Sequence, residues 1–190
     1  MSSLVETINS ALRSVGPAAE DRLRTIIGEF EALALSPEER LAAATTAVAA
    51  AAATHHRRHQ RVYLAAVRTW SLEISGDLDP APAKFSNEAD PARIADGAEI
   101  LVSGIEGLIE LMAGEGVATQ DRLITELAVV ARLLGEHDAR MIHLAMGAIT
   151  RAVADEGYMP GMLVAVPHAE LLRPVSRNCD LAALEPRGHA

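Results

Sequence analysis

The feature that most constrains this fold is the stretch 38–75, which contains neither proline nor glycine. It follows Ser36 and Pro37, an N-cap serine and a proline at the first helical position, and Glu39 completes a capping box. The sequence therefore predicts one very long Ala-rich helix, about 37–75, of on the order of 57 Å at 1.5 Å per residue. Such a helix would exceed a small domain and leave part of its length for another chain.

The two halves of this stretch differ in composition. Alanine, the best helix former, fills nine of the twelve positions 42–53. Its small side chain lets another backbone approach closely, so we expect tight packing there. The second half carries Tyr63, Val67, Trp70 and Ile74 at i, i+4, i+7 and i+11, which is typical of a helix face turned to the core.

The rest of the chain also shows helical patterns. Apolar residues recur at helical spacing between proline and glycine breaks, whereas no convincing strand pattern occurs. The segment after Thr119 contains Gly135 and is compatible with one helix or two. We predict an all-α bundle of five or six helices in a single domain, 1–172, and a loosely ordered tail, 173–190.

Composition and charge limit the function. The net charge of −9 argues against broad binding to nucleic acid or to anionic membranes. A single cysteine, Cys179, excludes an intrachain disulfide and a thiolate zinc site. No secretory signal or apolar run of about 18 residues is visible, so we expect a soluble, cytoplasmic protein. The 16 arginines beside one lysine are typical of a GC-rich genome, and we expect a bacterial source.

Histidines cluster inside the predicted long helix. Two of them, His55 and His59, are four residues apart and share a helix face, as metal-binding imidazoles would. No Glu-x-x-His or His-Glu-x-x-His pattern occurs, so the main interpretation is histidines paired with carboxylates or solvated, with no cofactor. The alternative is a transition metal or small ligand near these histidines and a later helix. Its candidates are His55, His56, His59, Glu136, His137 and His143.

Arginines form the only dense basic region, in the same helix. Arginine offers a planar fork of donors that suits phosphates and carboxylates. The region therefore predicts recognition of a phosphate or an acidic partner, and its alternative role is pairing with the protein's own acidic surface. The candidates are Arg57, Arg58, Arg61 and Arg68.

The segment His137-Asp138-Ala139-Arg140 resembles the phosphoacceptor box of histidine kinases and related helical-hairpin phosphotransferases. The resemblance implies an exposed histidine on a helix of a dimeric bundle, with the acidic neighbour as a base. It covers four residues and lacks the family's usual proline and glycine-rich ATP-binding region. The alternative is an ion pair between Glu136 and Arg140 on one helix face.

No motif for catalysis stands out. The chain has no P-loop, dinucleotide-binding fingerprint or nucleophile elbow. We therefore predict a non-enzymatic protein that acts through helix-mediated association, as a homo-oligomer or as a structural or regulatory subunit of another protein. A metal- or ligand-binding module at the histidines is the second hypothesis, and histidine phosphotransfer through His137 is the third.

Overall fold

A computed structural model of the protein describes residues 16–82 and 89–154, and within them every regular element is an α-helix. The helices of this part are α1 (Pro17–Ala32), α2 (Pro37–Thr54), α3 (Arg57–Leu78), α4 (Pro91–Gly114), α5 (Thr119–Gly135) and α6 (Ala139–Ala154). The all-α prediction is confirmed for this part. The tail 173–190 and Cys179 lie outside the described residues. None of the described helices is long and apolar enough to cross a membrane.

Helix α2 lies at the centre of the bundle. It packs against α4, α5 and α6, and α1 packs on the outer side of α4. The start of α2 is bonded to the start of α4 through Glu39 and Asp90, so these two helices are parallel. Arg40, also at the start of α2, reaches Glu136 at the end of α5, so α5 is antiparallel to both. Thirteen of the eighteen residues of α2 are buried, which explains why so few of them have long side chains.

The single long helix predicted over 37–75 is wrong, because the chain bends between α2 and α3. His55 has extended backbone angles (φ −85°, ψ 146°), so the helix ends at Thr54 and restarts at Arg57. Neither proline nor glycine causes this break. The His55 carbonyl oxygen loses its helical hydrogen bond at the break, and the Gln60 side-chain amide donates to it instead (3.0 Å).

The apolar stripe of α3 is confirmed in most of its length. Tyr63, Val67 and Ile74 are buried, and Trp70 is half-buried against the same core. Because the bend turns α3 back along the bundle, this stripe faces α5 and the interior. A straight continuation of α2 would have carried it away from the other helices.

Glycines set the closest helix contacts. A Cβ atom on Gly104 would lie 2.7 Å from Ile26 of α1, and one on Gly135 would lie 2.7 Å from the Cβ of Ile74 and 3.2 Å from the Ser71 carbonyl oxygen. Gly135 also ends α5, so the segment after Thr119 forms two helices. The second helix begins at Ala139, and the Asp138 carboxylate caps it by accepting from the backbone N–H groups of Arg140 and Met141.

Replacing Gly135 by alanine tests this close contact. The new methyl group would press on the Ser71 backbone and the branched carbon of Ile74, so Gly135→Ala should destabilise the protein by about 1–3 kcal/mol. Gly28→Ala is the matched control, because no atom lies within 4 Å of its added Cβ. In mid-helix this control should stabilise by about 0.5–1 kcal/mol. Urea unfolding measures the free energy of unfolding of both variants. A Gly135→Ala variant that is more stable than wild type would contradict the close contact at Gly135.

A buried carboxylate, Glu39, joins three parts of the chain. It accepts the N–H groups of Ser36 (2.8 Å) and Asp90 (3.0 Å), and Arg93 lies 3.4 Å away. Burial alone would raise the pKa of Glu39, but these hydrogen bonds and the arginine charge outweigh it and lower the pKa below its ordinary value. The capping box predicted at Ser36 is therefore confirmed, and its carboxylate also fixes the start of α4.

We expect Glu39→Gln to reduce the free energy of unfolding by about 2–3 kcal/mol at pH 7, because it removes charge-assisted hydrogen bonds. A lowered folded-state pKa means that this stability is present above the unfolded pKa and lost as pH falls. The difference in the free energy of unfolding between Glu39→Gln and wild type should therefore become smaller below about pH 4.5. Urea midpoints across this pH range measure the effect, with the exposed Glu73→Gln, outside both association surfaces, as control. A stability difference that stays constant down to pH 3 would refute it.

Candidate functional site

The bend between α2 and α3 brings three polar side chains together. The His55 ring donates from Nε2 to Oε1 of the buried Glu126 (3.1 Å) and lies against the Tyr63 ring, with centroids 4.4 Å apart. The Tyr63 hydroxyl is buried without a hydrogen bond of ordinary geometry to the described residues. Burial, followed by the nearby negative charge of Glu126, raises the pKa of Tyr63. Here the expected pairing of a histidine with a carboxylate at a helix interface is observed.

The six metal candidates lie in separate places. His56 and His59 are exposed, with ring centroids 6.1 Å apart, whereas His143 lies on α6 among arginines. Glu136 and His137 lie near the far end of α3, about twenty residues of helix from His55. Across 16–82 and 89–154, no group of three or more histidine, cysteine, aspartate or glutamate residues is placed to hold a metal.

Glu136 and His137 belong to the packed end of the bundle. Glu136 pairs with Arg40 at 2.8 Å and lies 3.7 Å from Arg132, and no ion pair with Arg140 forms in the described structure. His137 is 8% exposed, and its carbonyl oxygen accepts from Ser75. Burial lowers the pKa of His137, although neighbouring carboxylates oppose this shift. A phosphoacceptor must meet a nucleotide or a second protein, so this burial does not favour phosphotransfer.

Three arginines and a histidine meet in one groove between α3 and α6, which we call the basic groove. Arg61 and Arg68 come from α3, and His143 and Arg151 come from α6. All four are exposed, and none forms an ion pair or side-chain hydrogen bond with the described residues. The side chains of Arg57 and Arg58 lie outside the described part. Arg61 and Arg68, two of the four predicted arginines, thus lie beside Arg151 and His143, which are more than 70 residues away in sequence.

An acidic stripe on α4 was missed by the sequence analysis. Its members are exposed and spaced 3, 4, 3 and 4 residues apart, like one seam of a coiled coil, and they are Asp96, Glu99, Ser103, Glu106 and Glu110. None of its carboxylates forms an ion pair or hydrogen bond with the described residues. The spacing is visible in the sequence, and counting charged positions along α4 would have found it.

Comparison of the chain with protein-family models, with curated proteins and with solved structures finds no match. The functional argument therefore depends on the chemistry of these surfaces.

The burial of His137 predicts a pH dependence. A folded-state pKa below the unfolded value means that the folded protein binds the proton less readily, so stability falls as pH drops through about 6.5. When the pH is lowered from 7.5 to 5.5, the free energy of unfolding of His137→Gln should fall by about 1 kcal/mol less than that of wild type. Urea unfolding at both pH values measures this difference. The control is His59→Gln, at an exposed position outside the basic groove, and it should follow wild type. Identical pH profiles for wild type and His137→Gln would show that the imidazole is not held neutral.

Proposed function

We propose that the protein is a non-enzymatic module that associates with further copies of itself, with the acidic stripe of one copy lying in the basic groove of the next. The observation that carries this proposal is the convergence of three arginines, without ionic partners in the described chain, on one groove of an acidic protein. Charges left in solvent by one copy are available to another.

The shapes and sizes of the two surfaces support the pairing. The basic groove is a recess of about 470 Å³ between two helices. The acidic stripe follows a single helix, α4, and its members Glu106 and Glu110 also border a recess beside α2. From Asp96 to Glu110 the stripe covers 15 residues, whose 14 steps give a length of about 21 Å at 1.5 Å per residue. Helix-in-groove docking of this kind is a common mode of recognition.

The floor of the basic groove supplies an apolar component. Leu64 and Met146 line it, and Ala65 and Gly147 leave room for a helix to approach. Between the charges of the acidic stripe, Ser103 adds no bulk. Charge complementarity between the acidic stripe and the basic groove then sets the relative orientation of two copies and the rate at which they associate, and the apolar floor adds contact area.

The two surfaces occupy different helices, so the contact is heterologous. Such contacts form rings when the rotation between copies closes and filaments when it does not. Exposed charge pairs are screened by salt, so the association should weaken as ionic strength rises. The homo-oligomer expected from the sequence is therefore retained, but the contact between copies is made by the basic groove and the acidic stripe and not by a projecting helix.

We expect sedimentation velocity at tens of micromolar and roughly 0.05 M salt to show assemblies that dissociate at roughly 0.5 M, because screening shortens the reach of the charges. The double variant Arg61→Ala/Arg68→Ala lacks the groove charges, and Glu106→Gln/Glu110→Gln lacks stripe charges. Each should be monomeric alone. An equimolar mixture should form a 1:1 dimer, because one intact groove meets one intact stripe.

Two control variants change the net charge equally on other surfaces. They are Arg24→Ala/Arg140→Ala and Glu29→Gln/Glu73→Gln, all at exposed positions. They should assemble as wild type does. A monomeric wild type at low salt, or groove and stripe variants that assemble unchanged, would rule out the proposal.

A further inference from the structure

A second recess separates α1 from α5. Helix α1 packs mainly on α4, and this leaves a cleft of about 450 Å³ between its inner face and α5. Leu23 and Ile27 of α1 form one wall, and Val129 and Leu133 of α5 form the other. We call this recess the α1–α5 cleft. Its volume lies within the range of sites that hold small molecules.

The interior of the α1–α5 cleft is apolar. Its floor is formed by Ile74, Leu101 and Ala128, all of which are at most 1% exposed. Ile27, in contrast, is 42% exposed on the wall. A large aliphatic side chain left this open beside an apolar floor favours an occupant with an apolar body, since its burial would remove this surface from water.

Polar groups gather at one end of the cleft. The Arg40 guanidinium donates to Glu136 at 2.8 Å, which neutralises that carboxylate. Arg132 only approaches Glu136, with Nε 3.7 Å from Oε1, and it forms no other ion pair or hydrogen bond with the described residues. Glu31 lies on the exposed rim, where water screens its charge. The terminal N–H groups of Arg132 therefore remain as donors.

We propose that the α1–α5 cleft binds a small amphipathic carboxylate, with its apolar chain between α1 and α5 and its carboxylate on Arg132. The planar donor fork of arginine matches a carboxylate in two parallel hydrogen bonds. At about 30 Å³ for each non-hydrogen atom, taken from the share of a water molecule, the cleft holds roughly 10–15 such atoms. A straight-chain acid of about ten carbons meets this size.

This site is separate from the association surfaces. The α1–α5 cleft shares no residue with the basic groove or the acidic stripe. Ligand binding and self-association can therefore be tested independently.

Isothermal titration of the full chain with decanoate, below its critical micelle concentration, is the test. Decanol and decylammonium have the same chain length and carry a neutral and a cationic head. We expect one decanoate per chain, bound about tenfold or more tightly than either analogue, because only the carboxylate pairs with Arg132. Absence of decanoate binding, or equal affinity for all three compounds, would overturn the proposal.

Two variants locate the bound molecule. Arg132→Gln should weaken decanoate about tenfold and leave decanol within about twofold, because only the head group loses its partner. Ile27→Trp should abolish binding by filling the cleft from its exposed wall. Their controls are Arg24→Gln and Val62→Trp, at exposed positions outside the cleft, and both should bind as wild type does.

Thermal melting checks that each variant is folded before titration. Decanoate binding that survives Ile27→Trp in a folded protein would place the ligand elsewhere and refute the site. Binding lost equally in Val62→Trp would show adsorption to the surface in general and would also refute it.

Discussion

The burial of α2 on nearly every side is the constraint on which the rest of the structure depends. A helix in the middle of a small bundle has room only for small side chains, and its alanines meet that requirement. Its neighbour α4 approaches closely, since a Cβ atom on Gly97 would lie 3.2 Å from the Ala43 Cβ of α2. The buried hydroxyls of Thr45 and Thr46 donate to carbonyl oxygens four residues earlier, so these hydroxyl donors are satisfied inside the bundle.

The bend at His55 follows from this central position. If α2 continued straight, the apolar stripe of α3 would leave the bundle, and burying that stripe outweighs the few helical hydrogen bonds that the bend removes. The bend also has its own contacts, since Gln60 binds the freed carbonyl oxygen and His55 binds Glu126. By turning α3 back, it places Arg61 and Arg68 beside α6 and so creates the basic groove.

Net charge describes this protein poorly at the scale of a single surface. A chain with a net charge of −9 still concentrates arginines between α3 and α6, and a stripe of carboxylates without ion pairs to the described residues follows α4. Both surfaces arise because the interior takes the alanines and aliphatic residues and leaves charged positions outside. The α1–α5 cleft has a different origin: α1 is held by α4, and the gap to α5 remains open.

Sequence alone was sufficient to predict the helical class, the capping box at Ser36 and most of the α3 core face, because these depend on local hydrogen bonds and on periodicity. It did not reveal the bend at His55, which has no proline or glycine and is stabilised by Glu126, 71 residues away in sequence. It identified Arg61 and Arg68 but not their meeting with His143 and Arg151. Which charges share a surface depends on helix packing, because the burial of apolar faces brings together helices that are far apart in sequence.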